Sequence, residues 1–216
     1  MKLAIFDLDG TLTDSLADIA EASNYSLRKL GLPEYELSRY NYFVGDGIKK
    51  LIERILPENK QDKFDEALSL YNSYYNEHYT VKTYVYDGIA ETLEKLKNNG
   101  VTLAVASNKT AIFTANVVKN YFGDDIFSLV CGKEENRPAK PSPEIVFNIM
   151  NKLGAKPDEC FMIGDTNIDI KTGKNAGIKT IGCLWGFRTL KELKEAEADF
   201  IAEKPKDIFK IICSYA

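Results

Sequence analysis

The sequence predicts an α/β fold: a parallel, Rossmann-like sheet covered by helices on both faces, with an all-helical cap domain inserted after the first strand. Three observations carry this. Short, nearly continuous apolar runs, of the kind buried on both faces of a parallel sheet, recur along the chain. From residue 83 onward they alternate with amphipathic helical stretches. Between residues 15 and 82 only helical periodicity is found, which interrupts that alternation between the first strand and the second. At 216 residues, 44% of them apolar, the chain can fill one large core and carry an insertion. The expected division is an α/β core of residues 1–14 and 83–216 and a cap of residues 15–82.

The first strand spans residues 2–6 and ends in Asp7-Leu8-Asp9-Gly10, where glycine lets the backbone leave the sheet sharply. Leu16, Ile19, Ala20, Leu27 and Leu30 then recur at helical spacing, with Asp14 or Ser15 as N-cap and Gly31 as stop. Phe43-Val44-Gly45-Asp46-Gly47 reads as a glycine-bearing turn. After it Ile48, Leu51, Ile52, Ile55 and Leu56 share one helical face up to Pro57. A further helix carries Phe64, Ala67, Leu68, Tyr71, Tyr75 and His78. The single histidine sits among tyrosines, which suits packing. Beyond residue 83, Ile89, Leu93 and Leu96 mark a helix closed by Gly100. Strands are expected at 101–106, 127–131, 160–163, 180–184 and 199–202, with helices at 110–122, 143–153, 167–176 and 191–198 between them.

A net charge of −4 and a pI near 5.3 argue against a general nucleic-acid binder. Cys131, Cys160, Cys183 and Cys213 are scattered, without a CxxC pair or a histidine cluster, so they read as reduced thiols in or near the core. No segment approaches the ~18 apolar residues of a membrane span, and the N-terminal stretch has no signal-peptide pattern. A cytoplasmic location, a small-molecule partner, no nucleic acid, no membrane and a monomeric or homodimeric state are the expectations.

In an open parallel sheet, reactive groups collect at the carboxyl ends of the strands. The first strand ends in Asp7-Leu8-Asp9, the second in Ser107-Asn108 and the fourth in Gly164-Asp165-Thr166-Asn167-Ile168-Asp169, while Lys140-Pro141-Ser142-Pro143 opens the helix before that fourth strand. Two carboxylates as close as Asp7 and Asp9 repel each other, so a metal ion is expected beside them. Asp9 also fits a plain Asp-Gly turn, and Asp165 and Ser107 fit ordinary helix caps.

The ordered set DLDGTLTDS, SN after an apolar strand, KPSP and GDTNID resembles the haloacid-dehalogenase-like phosphohydrolases over essentially the whole chain, in the form with a helical cap after the first strand. The resemblance implies Asp7 as the nucleophile that forms an aspartyl-phosphate and Asp9 as the acid and base that moves the proton. It implies Mg2+ held by the Asp7 carboxylate, the Asp9 backbone carbonyl and the Asp165 carboxylate. Ser107 and Lys140 would bind the phosphate, the Asn108 backbone N–H could join them, and Asp169 would orient Lys140 or a metal-bound water. Lys133 and Arg137 compete with Lys140 in the same loop, and Lys109 stands as a secondary contact. An acid two places after the nucleophile ties the resemblance to phosphate esters. Thr11, the VGDG turn and Trp185-Gly186-Phe187-Arg188 resemble phosphoglycolate phosphatases and allied enzymes, so a phosphoglycolate-like substrate is favoured. Tyr86-Asp87-Gly88 departs from the Pro-Gly common among these relatives. A sugar phosphomutase or pyrophosphatase of the same superfamily, or a phosphate-accepting signalling domain, are the alternatives; the missing Gly-x-x-Arg in the VGDG turn counts against the mutase.

Overall fold

All four side chains of Leu3–Phe6 are fully buried, so this strand requires cover on both of its faces. The computed structural model, which describes residues 1–215, meets that requirement. The chain runs β1 (Leu3–Phe6), β2 (Thr13–Asp14), α1 (Leu16–Lys29), α2 (Leu37–Phe43), α3 (Ile48–Ile55), α4 (Phe64–His78), β3 (Tyr84–Val85), α5 (Ile89–Asn98) and β4 (Thr102–Thr110). It continues through α6 (Ala111–Phe122), β5 (Leu129–Lys133), α7 (Glu144–Leu153), β6 (Cys160–Gly164), α8 (Asn167–Asn175), β7 (Lys179–Cys183), α9 (Leu190–Glu195), β8 (Phe200–Ala202) and α10 (Pro205–Ser214). Six strands pair in the order β5-β4-β1-β6-β7-β8, every pair parallel. This is the Rossmann-like α/β arrangement, and its order reverses at β1.

Alternate residues of β1 serve opposite faces. Ala4 and Phe6 pack with Val105, Ile163 and the apolar sides of α5, α6 and α10; Leu3 and Ile5 pack with Met162 and the inner side of α7. Helices α1 to α4 enclose a separate cluster that includes Leu27, Tyr40, Ile52, Ile55 and Tyr75, joined by Phe187 from beyond β7. The two chain crossings between this helical segment and the sheet are themselves paired, Thr13 with Val85 and Asp14 with Tyr84, in an antiparallel ribbon. Buried Asp18 of α1 strengthens the junction: its carboxylate accepts hydrogen bonds from the backbone N–H groups of Lys82 and Thr83 and from the Thr83 hydroxyl, at 2.7–3.0 Å.

Two strands differ from expectation in their bounds by more than a residue. β4 runs to Thr110 because Thr110 pairs again with Lys133 after an irregularity between Ala106 and Thr110. β5 starts two residues late because Phe127 packs edge-on against Phe6 and not in the ladder. Helices α2 and α10 were not anticipated.

Gly173 sits where α8 crosses the sheet: a Cβ there would run into Thr180 Cγ2 and come within 3.0 Å of Met162 Cβ. Gly173→Ala is therefore expected to destabilise the protein by ~1–3 kcal/mol, against its favourable helix propensity, as read by urea unfolding. Asp18→Ala should cost about 2 kcal/mol or more in the same assay, because it leaves buried N–H donors unpaired.

Candidate active site

The register of the three central strands assembles the site. Phe6 stands opposite both Val105 and Ile163, so the chain leaves β1 at Asp7 beside the ends of β4 and β6, with the Asp7 N–H donating to the Ile163 carbonyl at 2.9 Å. Ser107-Asn108 and Asp165 follow at the same level. The irregular stretch of β4 coincides with these residues, which frees their side chains from strict alternation.

At the centre Lys140 is 3% exposed, and its ammonium donates to Asp7 Oδ1 at 2.7 Å, Asp169 Oδ1 at 2.6 Å and the Ala106 carbonyl at 2.9 Å. Burial opposes its charge, but the attraction of Asp169 and Asp7 outweighs it and raises its pKa. Lys133 and Arg137 stay in their own loop, bonded to its carbonyls and to Glu134, so neither competes for the position. The other oxygen of Asp169 accepts from the Thr166 N–H and hydroxyl, which closes a capping box and fixes the carboxylate toward Lys140.

Asp165 is fully buried. Its carboxylate accepts from the Thr11 hydroxyl at 2.9 Å and the Phe187 N–H at 2.8 Å, and it is wedged so tightly that a Cβ at Gly10 or Gly186 would collide with it. Burial, reinforced by the charges of Asp169 and Asp7, pushes Asp165 up to about 8. Burial likewise raises Asp7 to about 7 despite Lys140. Ligating oxygens of Asp7, Asp165 and Asp169 all lie within 4.8 Å of one another. One ammonium thus faces three buried carboxylates, and an all-oxygen donor set with surplus negative charge suits a small hard cation.

Asp9 points away from this cluster. Both of its oxygens accept from the Lys109 ammonium at 2.9 Å, and Oδ1 also accepts from the Ser15 hydroxyl at 2.6 Å. The turn after it is held by bonds to the carbonyls of Leu8 and Thr13, which do not engage the Asp9 carbonyl.

The Asn108 side chain has a structural job beside the role expected of its backbone. Its side-chain amide donates to the Gly45 carbonyl at 3.0 Å and to the Lys140 carbonyl at 3.1 Å, and accepts from the Lys140 N–H at 2.8 Å. It therefore ties the turn before α3 and the lysine loop to the end of β4. Gly47 fits only because it lacks a side chain: its φ is +86°, and a Cβ would sit 3.1 Å from the Asn108 carbonyl. Arg188 reinforces the same turn, donating to the Val44 carbonyl at 3.0 Å and pairing with Glu192 at 3.2 Å. Between turn and strand ends lies a cavity with about 70 Å³ of room, lined by Asp7, Asp9, Ser107, Asn108, Tyr75 and Thr110 among others.

The structure thus brings Asp7, Lys140, Asp165 and Asp169 into one cluster and places Asp9, Ser107 and Asn108 along the adjoining cavity. Sequence reasoning missed the bidentate hold of Lys109 on Asp9, the Thr11 and Phe187 bonds to Asp165, and Tyr75. Only Gly186 could have signalled the second of these, as a residue required by close approach. His78 stacks on Tyr74 at 4.0 Å and bonds its carbonyl, a packing role. Cys131, Cys160 and Cys183 are buried free thiols and Cys213 an exposed one. Among the described residues no helix is long and apolar enough to cross a membrane.

Known proteins similar to this chain match it over nearly its whole length. The phosphoglycolate phosphatase of Aquifex aeolicus is 37% identical over 213 residues, covering 98% of this chain and 97% of the relative. That of Vibrio vulnificus is 31% identical over 219 residues, covering 98% and 96%. The crystal structure of a predicted phosphoglycolate phosphatase from Haemophilus somnus superposes with a TM-score of 0.90 at 29% identity, over 98% of this chain and 97% of that one. The profile of the haloacid dehalogenase-like hydrolases matches residues 4–183, well over half of the sequence, and the chain belongs to that family.

Proposed function

We propose that this phosphatase is magnesium-dependent and hydrolyses a small phosphate monoester through an aspartyl-phosphate on Asp7, with a phosphoglycolate-like substrate favoured. The observation that carries the reading is the Asp7 carboxylate itself: it lines the cavity beside Asp9, Ser107 and Asn108 and accepts a hydrogen bond from Lys140 at 2.7 Å.

In the first step an Asp7 oxygen attacks phosphorus and the bond from phosphorus to the alcohol oxygen breaks. Asp9, on the cavity side, gives a proton to the departing oxygen. In the second step water attacks the phosphorus of the aspartyl-phosphate, Asp9 takes its proton, and the bond to Asp7 breaks to release inorganic phosphate. Ser107 and Lys140 bind the phosphoryl oxygens and offset their charge, with the Asn108 backbone N–H beside them. Asp169 holds Lys140 in place. Asp7, Asp165 and the Asp9 carbonyl are the groups that would hold magnesium, whose charge would offset that of the carboxylates and the phosphate.

Residues 15–82 act as a cap on the core formed by 1–14 and 83–216. Their separate apolar cluster and the paired crossings at 13–14 and 84–85 support this division. The small cavity and the relatives named phosphoglycolate phosphatase favour a compact substrate. Arg54, in the helix after the VGDG turn, is paired with Asp46 of that turn, which favours hydrolysis over phosphate return to a sugar.

Asp7→Asn is expected to lower kcat for phosphoglycolate at least ~10³-fold with an unchanged far-UV spectrum; wild-type turnover in that variant would refute the nucleophile. EDTA should stop turnover and magnesium restore it. In a melting assay without substrate, magnesium should raise the Tm of the wild type and not of Asp165→Asn.

A further inference from the structure

A buried polar atom in a folded protein normally has a hydrogen-bond partner. Among the described residues, four buried side-chain polar atoms lack one: Tyr75 Oη, Thr110 Oγ1, Arg137 Nη1 and Arg188 Nη1. Two of these residues, Tyr75 and Thr110, line the cavity over Asp7 and Asp9.

Tyr75 is 2% exposed, and its ring is held on several sides. It stacks on Tyr71 with centroids 5.1 Å apart, meets Phe113 edge-on at 5.1 Å, and carries the Lys109 ammonium 5.1 Å from its centre. So gripped, the hydroxyl cannot swing to solvent for a partner. Ile19, Val44, Ile48, Leu51 and Phe113 around it are apolar, and although Asp7, Asp9, Asn72, Ser107 and Asn108 line the same cavity, none makes a hydrogen bond to the Tyr75 hydroxyl. Burial holds the Tyr75 phenol well above its ordinary pKa, so the group is a proton donor at any working pH. Thr110 lies on the same side, one residue past Lys109 and at the start of the helix that presents Phe113. Two buried hydroxyls without a protein partner beside one small cavity cost stability, and that cost is recovered when an occupant brings oxygen acceptors to them.

We propose that Tyr75, assisted by Thr110, selects the substrate by donating hydrogen bonds to an oxygen acceptor, a carboxylate or its equivalent, on the alcohol part of the phosphate ester. The inference rests on the phosphatase reading and narrows it to short esters that carry such an acceptor. Esters with a purely hydrocarbon alcohol reach the same phosphate site but leave the Tyr75 and Thr110 hydroxyls unpaired, and are poorer substrates for that reason.

Tyr75→Phe and Thr110→Val separate the two contributions when each is assayed with phosphoglycolate and with phenyl phosphate, whose alcohol part has no further oxygen. In Tyr75→Phe the ratio of kcat/KM for phosphoglycolate to that for phenyl phosphate is expected to fall about tenfold or more, and in Thr110→Val to fall by less in the same direction. Turnover of phenyl phosphate by each variant reports a folded site. A ratio unchanged in both variants, whether both substrates suffer equally or neither does, overturns the proposal. A wild-type enzyme that hydrolyses phenyl phosphate but not phosphoglycolate overturns the acceptor assignment and leaves the phosphatase chemistry standing. A wild type inert on both substrates with magnesium present overturns the phosphatase reading itself.

Discussion

Three buried carboxylates around one buried ammonium set the terms for the rest of this molecule. Charges of one sign repel strongly once water is removed, and burial, reinforced by the neighbouring carboxylates, raises both Asp7 and Asp165 toward neutrality. The protein holds the cluster together with directional bonds. Thr11 and Phe187 secure Asp165, Thr166 secures Asp169, and Lys140 links Asp169 to Asp7. These partners come from separate segments of the chain, so the site forms only when the whole sheet has formed. Gly10, Gly164 and Gly186 belong to the same device: a side chain at any of them would strike Asp165 or Asp169.

Around this cluster the parallel sheet does two jobs. Its register delivers three strand ends to one level, and its reversal of order at β1 leaves a crevice there for a ligand. Asn108 then extends the order outward, since one side-chain amide serves both the turn at Gly45 and the loop of Lys140. A contact made by the helical segment is in this way felt by the lysine that touches Asp7.

Much of this was legible in the sequence because strands buried on both faces have a recognisable composition, and because the ordered set of acids, hydroxyl and lysine at their ends resembles a known family, which lifts those residues above plain turn and cap roles. The strand boundaries at β4 and β5 were less legible: Phe127 is apolar like a strand residue but packs as a plug, and Ser107 to Thr110 are polar yet remain in the sheet. α2 has one buried residue, Tyr40, too few to display a period, whereas α10 carries Ile208, Ile211 and Ile212 at helical spacing after an opening proline and was legible but not read. The bidentate bond of Lys109 to Asp9 and the gripped ring of Tyr75 depend on which segments meet in space. Local patterns carry no trace of such meetings, whereas the Lys140 cluster was found because its members each occupy a strand end or its neighbouring loop.

The antiparallel ribbon of Thr13–Asp14 and Tyr84–Val85 has a mechanical consequence. Two separate tethers would let the four helices twist, slide and rock over the sheet independently. Laced side by side and pinned by Asp18, they behave as a single strap, which resists shear and leaves bending about one line as the soft direction. Any such bending would carry the wall residues of α1, α3 and α4 over the strand ends together, along nearly one coordinate.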